Sequence, residues 1–316
     1  MHQPPGNLVA LHNSGERWEA RQILWCYDRV TRMLEGYSDV ARLHLSFSGT
    51  LLKQLEDSGV RETFGDVVDI ADFLNRYRQS NIEFLGSGLY HPVYPLIPPA
   101  DWDAQTEWWQ GLGRHLLGRA NFPGFWPPEM GFCMEMIPTL KRHGYQYVLV
   151  DSIYLKPKRE LRWEELRYRP YRARYDGAEI IVVPRDRELS NAQLSGLDPG
   201  WFQHEVHERT KWCDFPALVT TWTDGENGGW FCTTQVEGGG RRSATHHPRV
   251  RSPADRRNQL QLLLGQPLGA PVLRRPGAGV SFARHGDGKV AKDRTQFRNG
   301  FPEDSVKQGA VPGEAA

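Results

Sequence analysis

Stretches with the composition of β-strands alternate with helical periodicities along the first 236 residues. The stretches that predict strands lie at 42–48, 81–86, 145–150, 178–183 and 217–221, and 123–132 is predicted to be a short strand that runs directly into a loop carrying Glu129. Apolar residues recur at helical spacing over 16–34, 51–57, 66–79, 101–118, 134–143 and 200–210. Alternation of this kind predicts an α/β fold, with a parallel sheet whose crossover connections are helices.

Side chains that can carry out chemistry follow the predicted strands. They are His91, Glu129, Asp151, Arg185 and Asp224. The carboxyl ends of parallel strands share one face of a barrel or of a doubly wound sheet, and functional sites are built there. The sequence therefore predicts one site that combines carboxylates with a histidine and an arginine.

The stretch 217–230 combines a predicted buried strand with two carboxylates and two tryptophans. Asp224 and Glu226 lie in a glycine-rich turn between Trp222 and Trp230. A site that cleaves glycosidic bonds needs a carboxyl group that protonates the leaving oxygen, and aromatic rings can stack on the sugar faces. The same Asp-Gly-Glu triplet is also common in solvated turns, so the residues alone leave open which carboxylate, if either, is catalytic.

Glu129 lies between two prolines and Met-Gly-Phe, close to Phe125 and Trp126. Prolines fix the backbone, as the positioning of a catalytic carboxylate requires, so we interpret Glu129 as a catalytic candidate rather than a solvated loop residue. His2 and His91 also lie close to prolines in predicted loops. At the mouth of one sheet, two histidines could bind sugar hydroxyls or a metal ion.

Other residues have simple structural interpretations. Asp151 could cap the turn that follows its strand. The Trp108-Trp109 pair on a predicted helix is interpreted as core. The four cysteines are scattered without a CxxC pair, which is typical of reduced thiols in a cytoplasm. They are Cys26, Cys133, Cys213 and Cys232.

Composition and motifs exclude several classes of function. With a formal net charge of +1, the chain gives no case for nucleic acid or a membrane surface as partner. No apolar run approaches the roughly 18 residues of a membrane span, and no basic-then-apolar signal opens the chain. No HExxH, Walker-type or Gly-x-Ser-x-Gly motif occurs. The sequence predicts a soluble, cytoplasmic protein.

The composition changes abruptly near residue 237. Every Trp and Tyr residue precedes this point. Residues 1–236 carry 25 Lys and Arg against 31 Asp and Glu, whereas residues 237–316 carry 14 against 7, with 12 Gly and 7 Pro. Such a segment buries too little apolar surface to offset its ordering entropy. We predict a globular domain over 1–236 and a basic tail over 237–316 that is disordered or out of frame.

Four short motifs occur in the order of the first four signature regions of glycoside hydrolase family 57. They are His2-Gln3-Pro4, Gly88-Leu89-Tyr90-His91-Pro92, Trp126-Pro127-Pro128-Glu129 and Thr223-Asp224-Gly225-Glu226. Each motif alone is weak, but the four together on strand ends make residues 1–231 resemble this family. The family includes α-amylases, 4-α-glucanotransferases, branching enzymes, amylopullulanases and α-galactosidases.

The resemblance implies an incomplete (β/α)7, TIM-like barrel with a glycosidase or transglycosylase activity that retains anomeric configuration. It implies that Glu129 is the nucleophile and Asp224 the general acid/base, with carboxyl groups about 5–5.5 Å apart. It implies further substrate-binding residues, namely His2, His91, Trp126, Asp151, Trp222 and Glu226. The implied substrate is an α-glucan or oligosaccharide, cleaved without a cofactor or metal ion, with water or a sugar hydroxyl as acceptor.

Two departures from the family pattern concern the ends of the chain. The family carries a strand and a further histidine before its first region, whereas here Met1 directly precedes His2. The family also continues into a helical segment with a fifth motif, where this chain turns into the basic tail. We therefore predict a chain truncated at both ends that lacks the first barrel strand. Because an unpaired strand edge is costly, we expect poor folding and low activity.

Two other functions agree with parts of the sequence. A metal-dependent polysaccharide deacetylase also carries His and Asp at strand ends of a seven-stranded barrel. Its usual metal-binding histidine pair has no clear counterpart, because His204 and His207 are not at a strand end. The third hypothesis is a non-catalytic remnant or carbohydrate-binding protein, based on the two ends of the chain.

Overall fold

The structure is a computed structural model that describes residues 1–34, 37, 42–157, 159–194 and 198–226. The α-helices in these ranges are α1 (Asn7–Asn13), α2 (Arg17–Leu34), α3 (Gly49–Glu56), α4 (Ser58–Phe64), α5 (Ile70–Gln79), α6 (Trp102–Leu117), α7 (Met136–Arg142), α8 (Trp163–Tyr168), α9 (Arg187–Leu194) and α10 (Pro199–Thr210). The strands are β1 (Leu43–Ser46), β2 (Ile82–Leu85), β3 (Gly124–Phe125), β4 (Tyr147–Asp151), β5 (Tyr171–Tyr175) and β6 (Ala178–Arg185). The predicted tail over 237–316 and the candidate Trp230 lie outside the described residues.

The described strands form two small sheets that are mostly parallel. β1 pairs with β2 in parallel, in register from Leu43 and Ile82 to Ser46 and Leu85. β3, β4 and β6 are parallel neighbours, and β5 lies antiparallel along the outer edge of β6. The predicted α/β class with parallel strands is confirmed. Within the described residues, however, the strands do not close into a barrel.

A close backbone contact directly after β2 joins the two sheets. Gly86, directly after β2, forms a parallel bridge with Phe125 of β3. Its amide donates to the Gly124 carbonyl at 2.9 Å, and its carbonyl accepts from the Trp126 amide at 2.8 Å. A Cβ atom at Gly86 would overlap the Tyr145 hydroxyl. The backbones approach this closely because residue 86 has no side chain.

Segments at both ends of this arc of strands continue its hydrogen bonding. The Ser48 amide, two residues after β1, donates to the Met1 carbonyl at 2.9 Å. At the opposite end, the Asp186 amide after β6 donates to the Thr220 carbonyl at 2.8 Å. The two end segments meet, since a Cβ atom at Gly225 would overlap the Met1 side chain. The carboxyl ends of the strands therefore surround one face of the domain.

The helices combine an apolar face with side chains that cap their first turn. Asp69 caps α5 by accepting from the amides of Ala71 and Asp72, and Ser48 caps α3 through the Leu51 amide. Their apolar faces share one core with the strands, and edge-to-face or tilted aromatic contacts fill its centre. These rings belong to Phe47, Phe73, Tyr77 and Phe84. None of the helices in the described ranges is long and apolar enough to cross a membrane.

Short elements account for most of the differences from the sequence predictions. The sequence does not predict α1, α4 and α9, whose seven or eight residues contain too few turns to show a periodicity. Between the predicted strands at 145–150 and 178–183, where the sequence predicts no element, the structure contains α8 and β5. β5 and β6 form a hairpin through Asp176-Gly177, where both residues have positive φ, as a tight type I′ turn requires.

The predicted strand at 217–221 is wrong, because this stretch is extended but belongs to no ladder. The Leu218 amide donates to the Tyr168 carbonyl at 2.9 Å, and the Thr220 carbonyl accepts from Asp186. In this stretch only Val219 is buried. Single hydrogen bonds to two different elements hold the chain in place without the regular pairing that defines a strand.

We predict that Gly86→Ala lowers the free energy of unfolding by about 1–3 kcal/mol, because the added methyl group must displace the buried Tyr145 ring. The matched control is Gly111→Ala on α6, where a Cβ atom meets nothing within 4 Å. This control gains about 0.5–1 kcal/mol, since alanine loses less backbone entropy in a helix. Urea unfolding followed by circular dichroism measures both changes. Equal effects of the two substitutions would contradict the tight contact at Gly86.

Candidate active site

Two histidines that are distant in sequence stack on each other at the strand ends. The ring centroids of His2 and His91 are 3.8 Å apart, and the ring planes differ by 15°. His2 follows the Met1 segment beside β1, and His91 follows β2, so neighbouring strand ends bring the rings together. Among the described residues, the buried Nδ1 atoms of both rings have no hydrogen-bond partner.

Burial keeps both imidazoles neutral at pH 7. It lowers the pKa of His2 to about 4, with a further contribution from the neighbouring His91. It also lowers the pKa of His91 to about 4, assisted by the Met1 amino group. Desolvation disfavours the charged form of a histidine, and a second cation nearby acts in the same direction.

His91 lies against Glu129. Its Nε2 atom is 3.4 Å from Glu129 Oε1. Glu129 lies in the short 3₁₀ turn Pro128–Met130, which follows Pro127. The Glu129 side chain is 71% exposed, whereas that of His91 is only 13% exposed. The carboxylate is therefore open to a ligand, while the imidazole that contacts it is held inside the protein.

The backbone at this contact is strained. His91, Glu129 and Met130 have φ angles of 56°, 53° and 57°, in the left-handed region that side chains with a Cβ atom disfavour. Each such residue costs on the order of 1–3 kcal/mol, and residues of this kind cluster at functional sites. Pro92 follows His91, and Pro128 precedes Glu129. These prolines restrict the other conformations that the two loops could adopt.

Two tryptophans from different strand ends stack on each other. The ring centroids of Trp126 and Trp222 are 4.4 Å apart, with ring planes that differ by 16°. Trp126 directly follows β3 and is three residues from Glu129. The Trp222 amide donates to Ser190 Oγ of α9 at 3.0 Å, which fixes the position of this part of the chain. Both rings are partly exposed.

Asp224 and Glu226, the two carboxylates of the glycine-rich turn, have different environments. Asp224 is exposed, and its charge acts on both His2 and Arg185. Glu226 accepts a hydrogen bond at 3.1 Å from the hydroxyl of Tyr27, which is fully buried on α2. The Tyr27 hydroxyl also accepts from Gln3 Nε2 at 3.1 Å. Burial raises the pKa of Tyr27, as does the negative charge of Glu226, so the phenol stays protonated.

Asp151 differs from the other candidates because its carboxylate is enclosed by protein groups. It is fully buried at the end of β4. Its Oδ2 atom accepts from Arg187 Nε at 2.8 Å and from Arg185 Nη1 at 3.4 Å, and its Oδ1 atom accepts from the Ile153 amide at 3.2 Å. Arg185 Nε also donates to Ser190 Oγ at 3.0 Å. Asp151 thus positions two arginines and caps the following turn.

The structure brings together seven of the candidate residues, and it adds three more. His2, His91 and Glu129 are in contact, Trp126 contacts Trp222, and Asp224 and Glu226 follow on the same segment. The sequence alone does not single out Tyr27, Arg187 and Ser190. Tyr27 lies at a core position of α2, and Ser190 and Arg187 lie on the short helix α9, so no local pattern marks them.

In the part of the chain that the structure describes, no group of three or more His, Cys, Asp and Glu side chains is placed to hold a metal ion. His204 and His207 lie exposed on α10. Cys26, Cys133 and Cys213 are free thiols. The fourth cysteine lies outside the described residues.

Comparison with known proteins identifies the family. The family model of Glycosyl hydrolase family 57 matches residues 8–239, and the chain belongs to this family. A 4-alpha-glucanotransferase of Thermococcus litoralis is 28% identical over 192 residues, and an alpha-amylase of Pyrococcus furiosus is 29% identical over 196 residues. Each alignment covers 60% of this chain and 26% of the relative. The chain thus spans about a quarter of the length of these curated relatives.

Solved structures of similar proteins agree with this assignment. The crystal structure of the 4-alpha-glucanotransferase from Thermococcus litoralis has a TM-score of 0.55 and 25% identity, and the match covers 72% of this chain and 32% of that one. A GH57-type branching enzyme from Pyrococcus horikoshii has a TM-score of 0.57 at 17% identity, covering 72% and 62% of the two chains. The second similarity concerns the fold alone. The resemblance seen in the four motifs is confirmed.

We predict that stability rises with pH between about 4 and 6.5, because the unfolded chain binds protons at these histidines that the folded chain rejects. Urea unfolding at several pH values measures this slope, and proton–carbon NMR of the imidazoles gives titration midpoints near 4. In His91→Gln the slope becomes shallower. His204→Gln, at an exposed position on α10, controls for the loss of an imidazole. Midpoints near 6.5 for both rings would show that the stacked pair is not buried as described.

We also predict that Asp151→Asn lowers the free energy of unfolding by about 1–3 kcal/mol, because the Arg185 guanidinium loses its buried, charged partner. Asp214→Asn is the matched control, since Asp214 pairs with Arg162 at 2.6 Å but is exposed. This control has a much smaller effect, as exposed ion pairs contribute little. Thermal and urea unfolding compare the two variants. An Asp151 variant as stable as the control would argue against the positioning role.

Proposed function

We propose that this chain carries the catalytic centre of a retaining enzyme that acts on α-linked glucans, with Glu129 as nucleophile and Asp224 as general acid/base. The observation that supports it most directly is the exposed Glu129 carboxylate against the buried, neutral His91. The stacked tryptophan pair includes Trp126, three residues before Glu129, and the segment with Asp224 lies at the same strand ends. Membership in family 57 supports the same assignment.

The proposed scaffold is an incomplete (β/α)7 barrel. Its support is the order of neighbouring segments, which runs by backbone hydrogen bonds from Met1 through β1, β2, β3, β4 and β6 to Thr220, while Gly225 lies against the Met1 side chain. Solved family 57 structures have the same fold over most of this chain. In a barrel of parallel strands the active site lies at the carboxyl ends, which is where the candidate residues are found.

Glu129 is suited to nucleophilic attack by its surroundings. Because His91 is neutral at pH 7, no full positive charge from this imidazole neutralises the carboxylate. With hydrogen on Nε2, His91 donates a weak bond that orients Oε1, and the strained turn holds the side chain toward solvent. A carboxylate fixed in this way loses little freedom when it attacks.

The proposed reaction has two steps. A Glu129 oxygen attacks the anomeric carbon while the bond to the glycosidic oxygen breaks, and the carboxylic acid of Asp224 gives its proton to that oxygen. The product is a glycosyl ester of Glu129. The Asp224 carboxylate then removes a proton from water or from a sugar hydroxyl, which attacks the same carbon and releases Glu129. Two inversions give net retention.

The neighbouring residues have proposed supporting roles. The outer face of the stacked Trp126–Trp222 pair offers an apolar surface to a pyranose ring, and His2, stacked on His91, lies near the cleaved bond. Glu226, held by Tyr27, orients Asp224 or binds a sugar hydroxyl. Asp151 acts indirectly, because its oxygens are already bonded to protein groups and it holds Arg185 near Asp224.

The proposed substrate is a starch-like α-glucan. The two curated relatives above are an alpha-amylase and a 4-alpha-glucanotransferase, so their reactions differ in the acceptor rather than in the first step. Product analysis with maltooligosaccharides therefore distinguishes hydrolysis, which gives only shorter chains, from transfer, which gives longer ones as well.

We predict different losses for the two carboxylate variants. Glu129→Gln abolishes turnover of both maltooligosaccharides and an aryl α-maltoside, because no glycosyl ester can form. Asp224→Asn loses about 10²–10⁴-fold on maltooligosaccharides, but it forms the ester rapidly from the aryl substrate, whose leaving group needs no proton. Steady-state assays measure turnover, and mass spectrometry of the Asp224→Asn protein detects the sugar on Glu129.

The controls are Glu62→Gln, at an exposed position of α4, and Asp176→Asn in the β5–β6 turn, where asparagine also accepts positive φ. Both retain the wild-type rate. A Glu129→Gln protein that still turns over the aryl substrate would overturn the nucleophile assignment. A folded wild-type chain that binds α-glucans without cleaving them would replace the enzyme with a carbohydrate-binding protein.

A further inference from the structure

An aromatic side chain that the sequence assigns to the core is on the surface. Trp109 of α6 is fully buried, and its indole N–H donates to the Phe47 carbonyl at 2.7 Å. Its neighbour Trp108 is 51% exposed, and Tyr90, on the loop after β2, is 52% exposed. The core interpretation of the pair holds for Trp109 and is wrong for Trp108, since consecutive helical residues face different directions.

Trp108 and Tyr90 line the same open groove between α3, α6 and the loop after β2. Its volume is about 630 Å³, within the usual range of sites that bind small ligands. Lys53, Glu107 and Arg114 add hydrogen-bond donors and acceptors of both charges to its walls. The Lys53 ammonium lies 5.6 Å from the centre of the Tyr90 ring, an exposed contact that a ligand can replace. Below, this groove is called the Trp108 groove.

One residue that lines the Trp108 groove is a glycine at a position where a larger residue would also fit. Gly111 lies one turn after Trp108 in the interior of α6 and lines the groove. A Cβ atom there would meet nothing within 4 Å. Glycine in a helix interior costs stability, so an alanine would be favourable on structural grounds. At Gly111, therefore, no side chain projects from α6 beside the exposed indole.

The groove and the candidate active site share one segment of chain. Tyr90 lines the groove, and the next residue, His91, contacts Glu129. Gln105 of α6 fixes this segment, because its side-chain Oε1 accepts from the Tyr90 amide at 3.0 Å and its carbonyl accepts from the Leu89 amide at 3.1 Å. A ligand chain in the groove therefore lies close to the segment that enters the active site.

We propose that the Trp108 groove is a second binding site for an α-glucan chain, separate from the catalytic carboxylates. The choice of ligand rests on the function proposed above. Exposed aromatic faces suit pyranose rings, and mixed charges suit the hydroxyl groups of a neutral polymer. An anionic polymer would favour a groove of one charge, whereas this one combines Glu107 with Lys53 and Arg114. The site would hold a long glucan while one of its ends is processed.

Affinity electrophoresis tests this proposal with the full chain. All proteins carry Glu129→Gln, so that no glucan is consumed, and they migrate in native gels with increasing soluble starch. We expect Trp108→Ala to weaken starch binding on the order of tenfold, as one stacked ring is lost. Gly111→Leu blocks the groove and has a similar effect. Trp212→Ala, which removes a 71% exposed tryptophan outside the groove, leaves binding unchanged.

The same gels are repeated at high salt, and circular dichroism checks that each variant is folded. Binding of a neutral glucan persists at high salt, whereas binding driven by charge falls. The proposal is overturned if the parent Glu129→Gln protein does not bind starch, if its binding is lost in salt, or if Trp108→Ala and Trp212→Ala bind equally. Turnover of an aryl α-maltoside by the chain with Glu129 intact is measured separately. Binding that depends on the groove, without any turnover, would support this site and contradict the proposed enzyme activity. Turnover without such binding would support the enzyme activity and contradict this site.

Discussion

The backbone contact between Gly86 and Phe125 determines where the candidate site forms. In the described ranges it is the bridge that joins the two small sheets, and the groups around it leave no room for a side chain at residue 86. His91 lies five residues beyond this bridge on one chain, and Glu129 lies four residues beyond it on the other. The bridge therefore brings the two loops that carry them to neighbouring positions, where the side chains meet at 3.4 Å.

The loops that carry these residues are stable because the rigid core lies directly beneath them. Left-handed backbone at His91 and Glu129 is unfavourable by itself. Leu89 is buried against Gly49, and Phe125 is buried with Tyr94 and Tyr145. Burial of large aromatic side chains contributes on the order of 1.5–3 kcal/mol each, which offsets the strain. The result is a carboxylate and an imidazole held in place before any ligand arrives.

Sequence patterns predicted the buried parallel strands and the face at their carboxyl ends, but they did not predict β5 or the contacts between side chains at that face. Buried parallel strands such as β4 and β6 form apolar runs that a sequence reveals, and the residues after them share a face by topology. The enclosure of Asp151 was not predictable, because it depends on Arg187, whose position on the short helix α9 no periodicity marks. Likewise, spacing cannot tell that Trp108 is exposed and Trp109 buried, since this depends on where α6 meets its neighbours.

The loop from Leu89 to His91 shows how one short segment can serve three functions. Leu89 is buried, Tyr90 enters the Trp108 groove and His91 enters the candidate site. In an extended chain, successive side chains point in only two alternating directions. The left-handed backbone at His91 allows its side chain to point in a third direction. Gln105 bonds to the segment through both its side chain and its backbone, so α6 sets the position of the loop. The helix that carries Trp108 therefore also holds the backbone directly before His91, the residue that contacts Glu129.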